Sequence, residues 1–209
     1  MSEVTYEGIS NEAYGAYGIV MFLIITMGLS GNITTIVTLL QPEHRTKSVT
    51  YLMLNLAVAD IFICGLGYPV AVTYNLKDHH ASMKDSRRCS WLAFANALSG
   101  IACIYTLTLM SISQYRGVCK IVVTSRQLNP CSCKRLAVNL FGIWAVAFAL
   151  CSPPFFKWNR FVPIQSGISC HPDWLSQDPS DKAYIWFLVT GGFFIPLTLI
   201  SVSYILTYR

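Results

Sequence analysis

The 209 residues are 54% hydrophobic and 12% charged, with a mean hydropathy of +0.48, about half the charge of an ordinary soluble domain. This excludes a water-exposed surface wrapped around the whole chain. The net charge of +5 is spread over several loops, which is a poor electrostatic footprint for nucleic acid.

Residues 1–13 form a polar tail with Glu3, Glu7 and Glu12 and neither Lys nor Arg. Apolar runs then occupy approximately 14–40, 48–76, 90–118, 136–156 and 183–208, each long enough for the ~20 residues that cross a hydrocarbon core. The first run is free of charge until Glu43 and lacks the basic flank and small-residue cleavage site of a signal peptide. Five such runs leave too little polar chain to enclose them as core helices of a soluble protein. The expected fold class is an all-α membrane protein, with 1–13 as an extracellular tail and 14–209 as a helical bundle.

The second run, "YLMLNLAVADIFICGLGYPVAV", holds one charge, Asp60, where a carboxylate without partners would cost several kcal/mol. The first connection carries Arg45 and Lys47, and the third Arg116, Lys120, Arg126, Lys134 and Arg135. The positive-inside bias therefore sets the N-terminus outside. Lys77, Lys84, Arg87, Arg88, Lys157 and Arg160 weigh the other way, and the bias nearest the first helix decides.

Of eight cysteines, Cys64, Cys103 and Cys151 read as small core residues within the apolar runs. Cys119, Cys131 and Cys133 fall on the expected reducing side. Only Cys89 and Cys170 fall on the oxidising side, so these two are expected to form a disulfide. The pair His79-His80 reads as solvated loop. "CSC" at Cys131–Cys133 is a candidate for acylation, and no ligands at zinc spacing accompany it. "NIT" at Asn32 matches a glycosylation sequon but lies inside a helix. No Walker loop, dinucleotide glycine motif or HExxH is present, and neither an enzyme nor a metal site is expected.

Several patterns coincide in order, one per helix: "LSGN" (Leu29–Asn32), "NLAVAD" (Asn55–Asp60), Cys89, "SISQYRGVCK" (Ser111–Lys120), Trp144, "SGISCHPDW" (Ser166–Trp174) and Pro196 within "FFIPLTLISVSY". On these motifs the chain resembles the rhodopsin-like class of G protein-coupled receptors and, within it, the opsins. "SC-x-x-DW", "PP…W-x-R-F-V-P" and "RT-x-x…NLAV-x-D…GYP" look most like the peropsin and neuropsin branch. The resemblance covers helices one to five, so a partial seven-transmembrane bundle without helices six and seven is expected, as a fragment or truncated form.

The resemblance implies that Asn32, Asn55 and Asp60 form an interior polar cluster and a possible sodium site. It implies retinal as cofactor, held as a protonated Schiff base on a lysine of helix seven that this chain does not contain. It also implies a chromophore or ligand pocket at Asn96, Ala97, Gly100, Ser169, His171, Trp174, Leu188, Gly192 and Phe193. The two family positions for the counterion fall on Leu92 and Ile164, neither of them an acid. Ser113, Gln114 and Tyr115 align with the acid–Arg–Tyr triplet that faces the heterotrimeric G protein. The ion pair of that triplet is absent, which argues against ordinary coupling. Expected partners are thus membrane lipid and a G protein, and the expected location is the plasma membrane. The leading reading is an opsin-type photoreceptor. A chemosensory or orphan receptor of the same class, and a retinal photoisomerase or carrier, remain as alternatives. A transporter finds no support, since no internal repeat or pair of broken helices is visible.

Overall fold

The chain is seen in a computed structural model that describes residues 11–43, 48–69, 86–124, 133–164 and 169–208. His79, His80 and Cys131 lie outside the described residues, as do the side chains of Cys119 and Cys133. Six α-helices make five spans: α1 (Asn11–Leu39), α2 (Ser48–Phe62), α3 (Ser86–Thr124), α4 (Cys133–Cys151), and a fifth span built from α5 (Pro179–Val189) and α6 (Ile195–Thr207). All five are long and apolar enough to cross a membrane, as expected from the sequence.

The span limits differ from the expected ones where local chemistry intervenes. Pro153 and Pro154 stop α4 at Cys151 and turn the next residues, Pro153–Phe156, into one 3₁₀ turn, because proline supplies no amide donor to a continuing helix. The fifth span starts four residues early, since Asp178 accepts the Ser180 amide at 2.7 Å and Pro179 sits at the first helical position. At 39 residues, α3 is about 58 Å long, well beyond the ~30 Å of a hydrocarbon core. It is the axis on which α2, α4 and the fifth span pack.

Two spans contain a π-turn, Ile63–Gly67 after α2 and Thr190–Phe194 between α5 and α6. Each closes with an i→i+5 bond, from the Tyr68 amide to the Ile63 carbonyl and from the Ile195 amide to the Thr190 carbonyl. A proline follows at once in both cases, Pro69 and Pro196. The wider turn accommodates a ring that would clash with the carbonyl four residues earlier. In both places α3 donates a side-chain hydrogen bond to the π-turn: Trp91 Nε1 to the Leu66 carbonyl at 3.1 Å, and the Tyr105 hydroxyl to the Gly191 carbonyl at 2.8 Å.

Small residues set the helix spacing. A Cβ built on Gly28 of α1 would stand 2.7 Å from Cys64 Sγ, and one on Gly191 would stand 2.6 Å from Leu150 Cδ2 of α4. Close backbone approach is how spans associate where lipid removes the hydrophobic drive between helices. The main core joins Leu52, Ala59, Phe94, Leu98, Ile101, Ala102, Ile143, Ala147, Leu150, Tyr184 and Leu188. Large apolar side chains such as Phe141 and Trp186 lie on the outside of the bundle, which suits lipid as solvent.

Candidate functional site

Between α4 and α5 the chain folds back over one end of α3 as a short antiparallel hairpin, β1 (Phe161–Pro163) with β2 (Cys170–Pro172). Val162 pairs with His171, and the Ile164 amide donates to the Ser169 carbonyl at 2.9 Å. Cys170 of β2 is disulfide-bonded to Cys89 in the first turn of α3, the pair expected from the sequence. Both cysteines are buried beside Leu92 and Ala93. The hairpin is thus tied to α3 and its position over the bundle is fixed.

A second fastening reaches α5. Asn159 adopts a left-handed backbone, φ 71°, which asparagine tolerates better than most residues. Its carboxamide accepts the Asp173 amide at 3.0 Å and donates to the carbonyls of Asp173 and Asp181 at 3.3 and 3.4 Å. Arg160 contacts Asp173 Oδ2 through Nε and a terminal nitrogen at 3.0 and 2.9 Å. Trp158 donates to the Ser180 carbonyl at 2.9 Å and stacks on Phe187, ring centroids 5.6 Å apart. Trp158 and Arg160 belong to the "W-x-R-F-V-P" pattern and Asp173 to "SGISCHPDW", and their bonds, with those of Asn159, shape this loop.

The expected pocket residues come from three neighbouring elements. Asn96, Ala97 and Gly100 lie on α3. Ser169, His171 and Trp174 lie on the hairpin and the turn after it. Leu188, Gly192 and Phe193 lie on the fifth span. Leu188 is buried in the main core, and Ala97 packs against the same cluster. A Cβ on Gly192 would meet Ile101 Cδ1 of α3 at 3.4 Å, whereas one on Gly100 would meet nothing within 4 Å. Trp174 and Phe193 are about half exposed. The Asn96 carboxamide oxygen is buried without a hydrogen-bond partner among the described residues, as is the Ser99 hydroxyl one turn on.

The nine positions form a mostly apolar set, with Asn96, Ser169 and His171 as its polar members. Among the described residues no lysine joins it: Lys182 is exposed and donates to Gln177 at 2.9 Å, and Lys134 and Lys157 are exposed at span ends. Leu92 is 1% exposed and packs on the disulfide, so an apolar side chain fills that α3 position.

The expected cluster of Asn32, Asn55 and Asp60 is not one hydrogen-bonded unit. Asn32 donates to the Gly28 carbonyl of its own helix at 2.9 Å. Asn55 donates to Thr106 Oγ1 at 2.8 Å and accepts the Trp144 indole at 2.9 Å, joining α2, α3 and α4. Thr106 in turn donates its hydroxyl hydrogen bond to the Ala102 carbonyl at 2.6 Å. Asp60 takes a different donor, the Cys103 thiol of α3, at 3.6 Å. The separation has a simple origin. Asn55 and Asp60 are five residues apart on α2, some 140° around the helix from one another. Toward the opposite end of α3 from the disulfide, Ser113 and Gln114 are exposed and Tyr115 is half-buried.

A family model described as "7 transmembrane receptor (rhodopsin family)" matches residues 31–209. The chain therefore belongs to the rhodopsin family of seven-transmembrane receptors, and it is a multi-pass membrane protein. Its relatives are opsins. Human melanopsin (Homo sapiens) is 31% identical over 201 residues, which cover 96% of this chain and 41% of melanopsin. The green-sensitive opsin of Gallus gallus is 27% identical over 186 residues, 88% of this chain and 51% of that opsin. Squid rhodopsin shares the fold, with a TM-score of 0.86 at 20% identity over 98% of this chain and 54% of that one. The chain thus spans about two-fifths of the melanopsin it matches and about half of the other two. These relatives support the opsins without singling out the peropsin and neuropsin branch.

Proposed function

We propose that the chain is part of an opsin-type photoreceptor that binds retinal and signals from the plasma membrane, with its N-terminus and the β1–β2 hairpin outside. One observation carries the reading: the family match over residues 31–209 coincides with relatives named melanopsin and green-sensitive opsin. Bound retinal would supply the visible absorption. Asn96, Ala97 and Gly100 would flank it from α3, and Leu188, Gly192 and Phe193 from the fifth span. Ser169, His171 and Trp174 would roof it, held by Cys89–Cys170 so that water is kept out. Gln114 replaces the arginine that faces the G protein in the family, so coupling is proposed to be weak.

The test is the absorption spectrum of the complete receptor, expressed from its full reading frame and mixed with retinal. A visible band displaced from free retinal and bleached by light supports the reading. A spectrum that is the sum of protein and free retinal rejects it.

A second reading, a chemosensory receptor of the same family, is favoured by Leu92 and Ile164. An apolar residue at both positions leaves a bound cation without its carboxylate. Under that reading retinal leaves the spectrum unchanged, and the complete receptor still stimulates nucleotide exchange when given its ligand.

A further inference from the structure

The π-turn of the fifth span leaves a backbone carbonyl without a donor from its own helix. In an α-helix the Gly191 carbonyl would accept the amide of residue 195. Here the Ile195 amide bonds to the Thr190 carbonyl instead. The next amide along belongs to Pro196, which has no N–H. Both helical donors are therefore gone, inside a span where water cannot substitute. The Tyr105 hydroxyl of α3 takes their place, 2.8 Å from the Gly191 oxygen.

The bond sits beside the proposed pocket. Gly192 follows Gly191 directly and faces Ile101 of α3, one turn from Tyr105, and Phe193 comes next. Gly192 and Phe193 lie inside the turn, which holds one more residue than an α-turn, so its relaxation to α geometry would displace both while rotating the residues after it by about 100°. Whatever holds the wide turn thereby sets how Gly192 and Phe193 sit against α3. Gly191 fits this clamp sterically as well, since any Cβ there would stand 2.6 Å from Leu150.

We infer that Tyr105 is a positioning residue for the ligand site: by donating to the Gly191 carbonyl, it locks the π-turn that sets Gly192 and Phe193 against α3. The inference rests on the retinal reading above for the identity of the ligand, and on the structure alone for the clamp.

The experiment is a double-mutant cycle in the complete receptor, using Tyr105→Phe, Pro196→Ala and both together. Pro196→Ala restores an amide that can serve the Gly191 carbonyl, so the tyrosine hydroxyl becomes redundant. Two quantities are read: the thermal midpoint without ligand, and the rate at which bound retinal is released in the dark. In the Pro196 background Tyr105→Phe should lower the midpoint and speed release about fivefold, the factor set by one net hydrogen bond. In the Pro196→Ala background it should change neither. Equal effects in both backgrounds would mean the hydroxyl does not serve that carbonyl, which overturns the clamp. A lowered midpoint with unaltered release would make Tyr105 merely structural, which overturns its positioning role. A wild-type receptor that takes up no retinal overturns the retinal reading instead, while the midpoint cycle still judges the clamp.

Discussion

Asn55 is 8% exposed between three helices, and both ends of its carboxamide are used. Asn55→Ala would leave the Trp144 N–H without an acceptor in a dry interior, at about 2–3 kcal/mol. Asn32→Ala would release only a bond to its own helix, worth a few tenths of that. We expect the first to lower the thermal midpoint several times more than the second. Equal shifts would refute the three-helix link. Asp173 and Arg160 divide in the same way. The arginine side chain is 73% exposed and the aspartate 11%, so the ion pair itself adds at most about 1 kcal/mol. Asp173 also accepts the Leu175 amide at 3.2 Å. Asp173→Ala should therefore destabilise more than Arg160→Ala, as read from thermal unfolding of the two variants. The sequence made Asn55 and Asp60 conspicuous as polar residues in an apolar run. It could not show their partners. Thr106 and Cys103 lie more than 40 positions away, and a threonine or cysteine in a membrane helix carries no mark of what it faces.

The spans were legible because hydrophobic length is a local property, and their ends shifted wherever a capping residue or a proline acted. Asp178 and Pro179 start α5 before the apolar run begins, and Pro153 ends α4 while apolar residues continue. Both π-turns escaped the sequence reading. Pro196 marks the second, but a proline fits equally well with a kink, a helix start or a wider turn. Helix packing makes its own prediction at Gly28. A methyl there meets Cys64 Sγ at 2.7 Å and little else, so Gly28→Ala should destabilise the contact between α1 and the first π-turn by about 1–3 kcal/mol. Removing the sulfur with Cys64→Ala should restore most of that loss. If the double variant melts at the sum of the two single shifts, α1 and that turn do not meet at this point.

For the whole molecule, the bundle has one fastened end and one long exposed strut. The hairpin end is held by Cys89–Cys170, by Asn159 and by Trp158, while the far end of α3 presents Ser113 and Gln114. If weak coupling follows from Gln114, then Gln114→Arg in the complete receptor should raise light-stimulated nucleotide exchange several-fold, and an unchanged rate would assign that weakness elsewhere. The proposed pocket was legible only as positions shared with a family. The contacts behind it, Cys89 with Cys170 and Tyr105 with Gly191, join residues far apart in the chain.

The whole arrangement depends on the hairpin being sewn to the start of α3, and peptide mapping of the unreduced, membrane-extracted protein tests this directly. Free thiols are first alkylated in denaturant, and the digest is then compared before and after reduction. Among the described cysteines the structure requires a linked pair of peptides carrying Cys89 and Cys170, with Cys64, Cys103 and Cys151 alkylated from the outset. Recovery of Cys89 and Cys170 as free thiols, or either one joined to another cysteine, would contradict it.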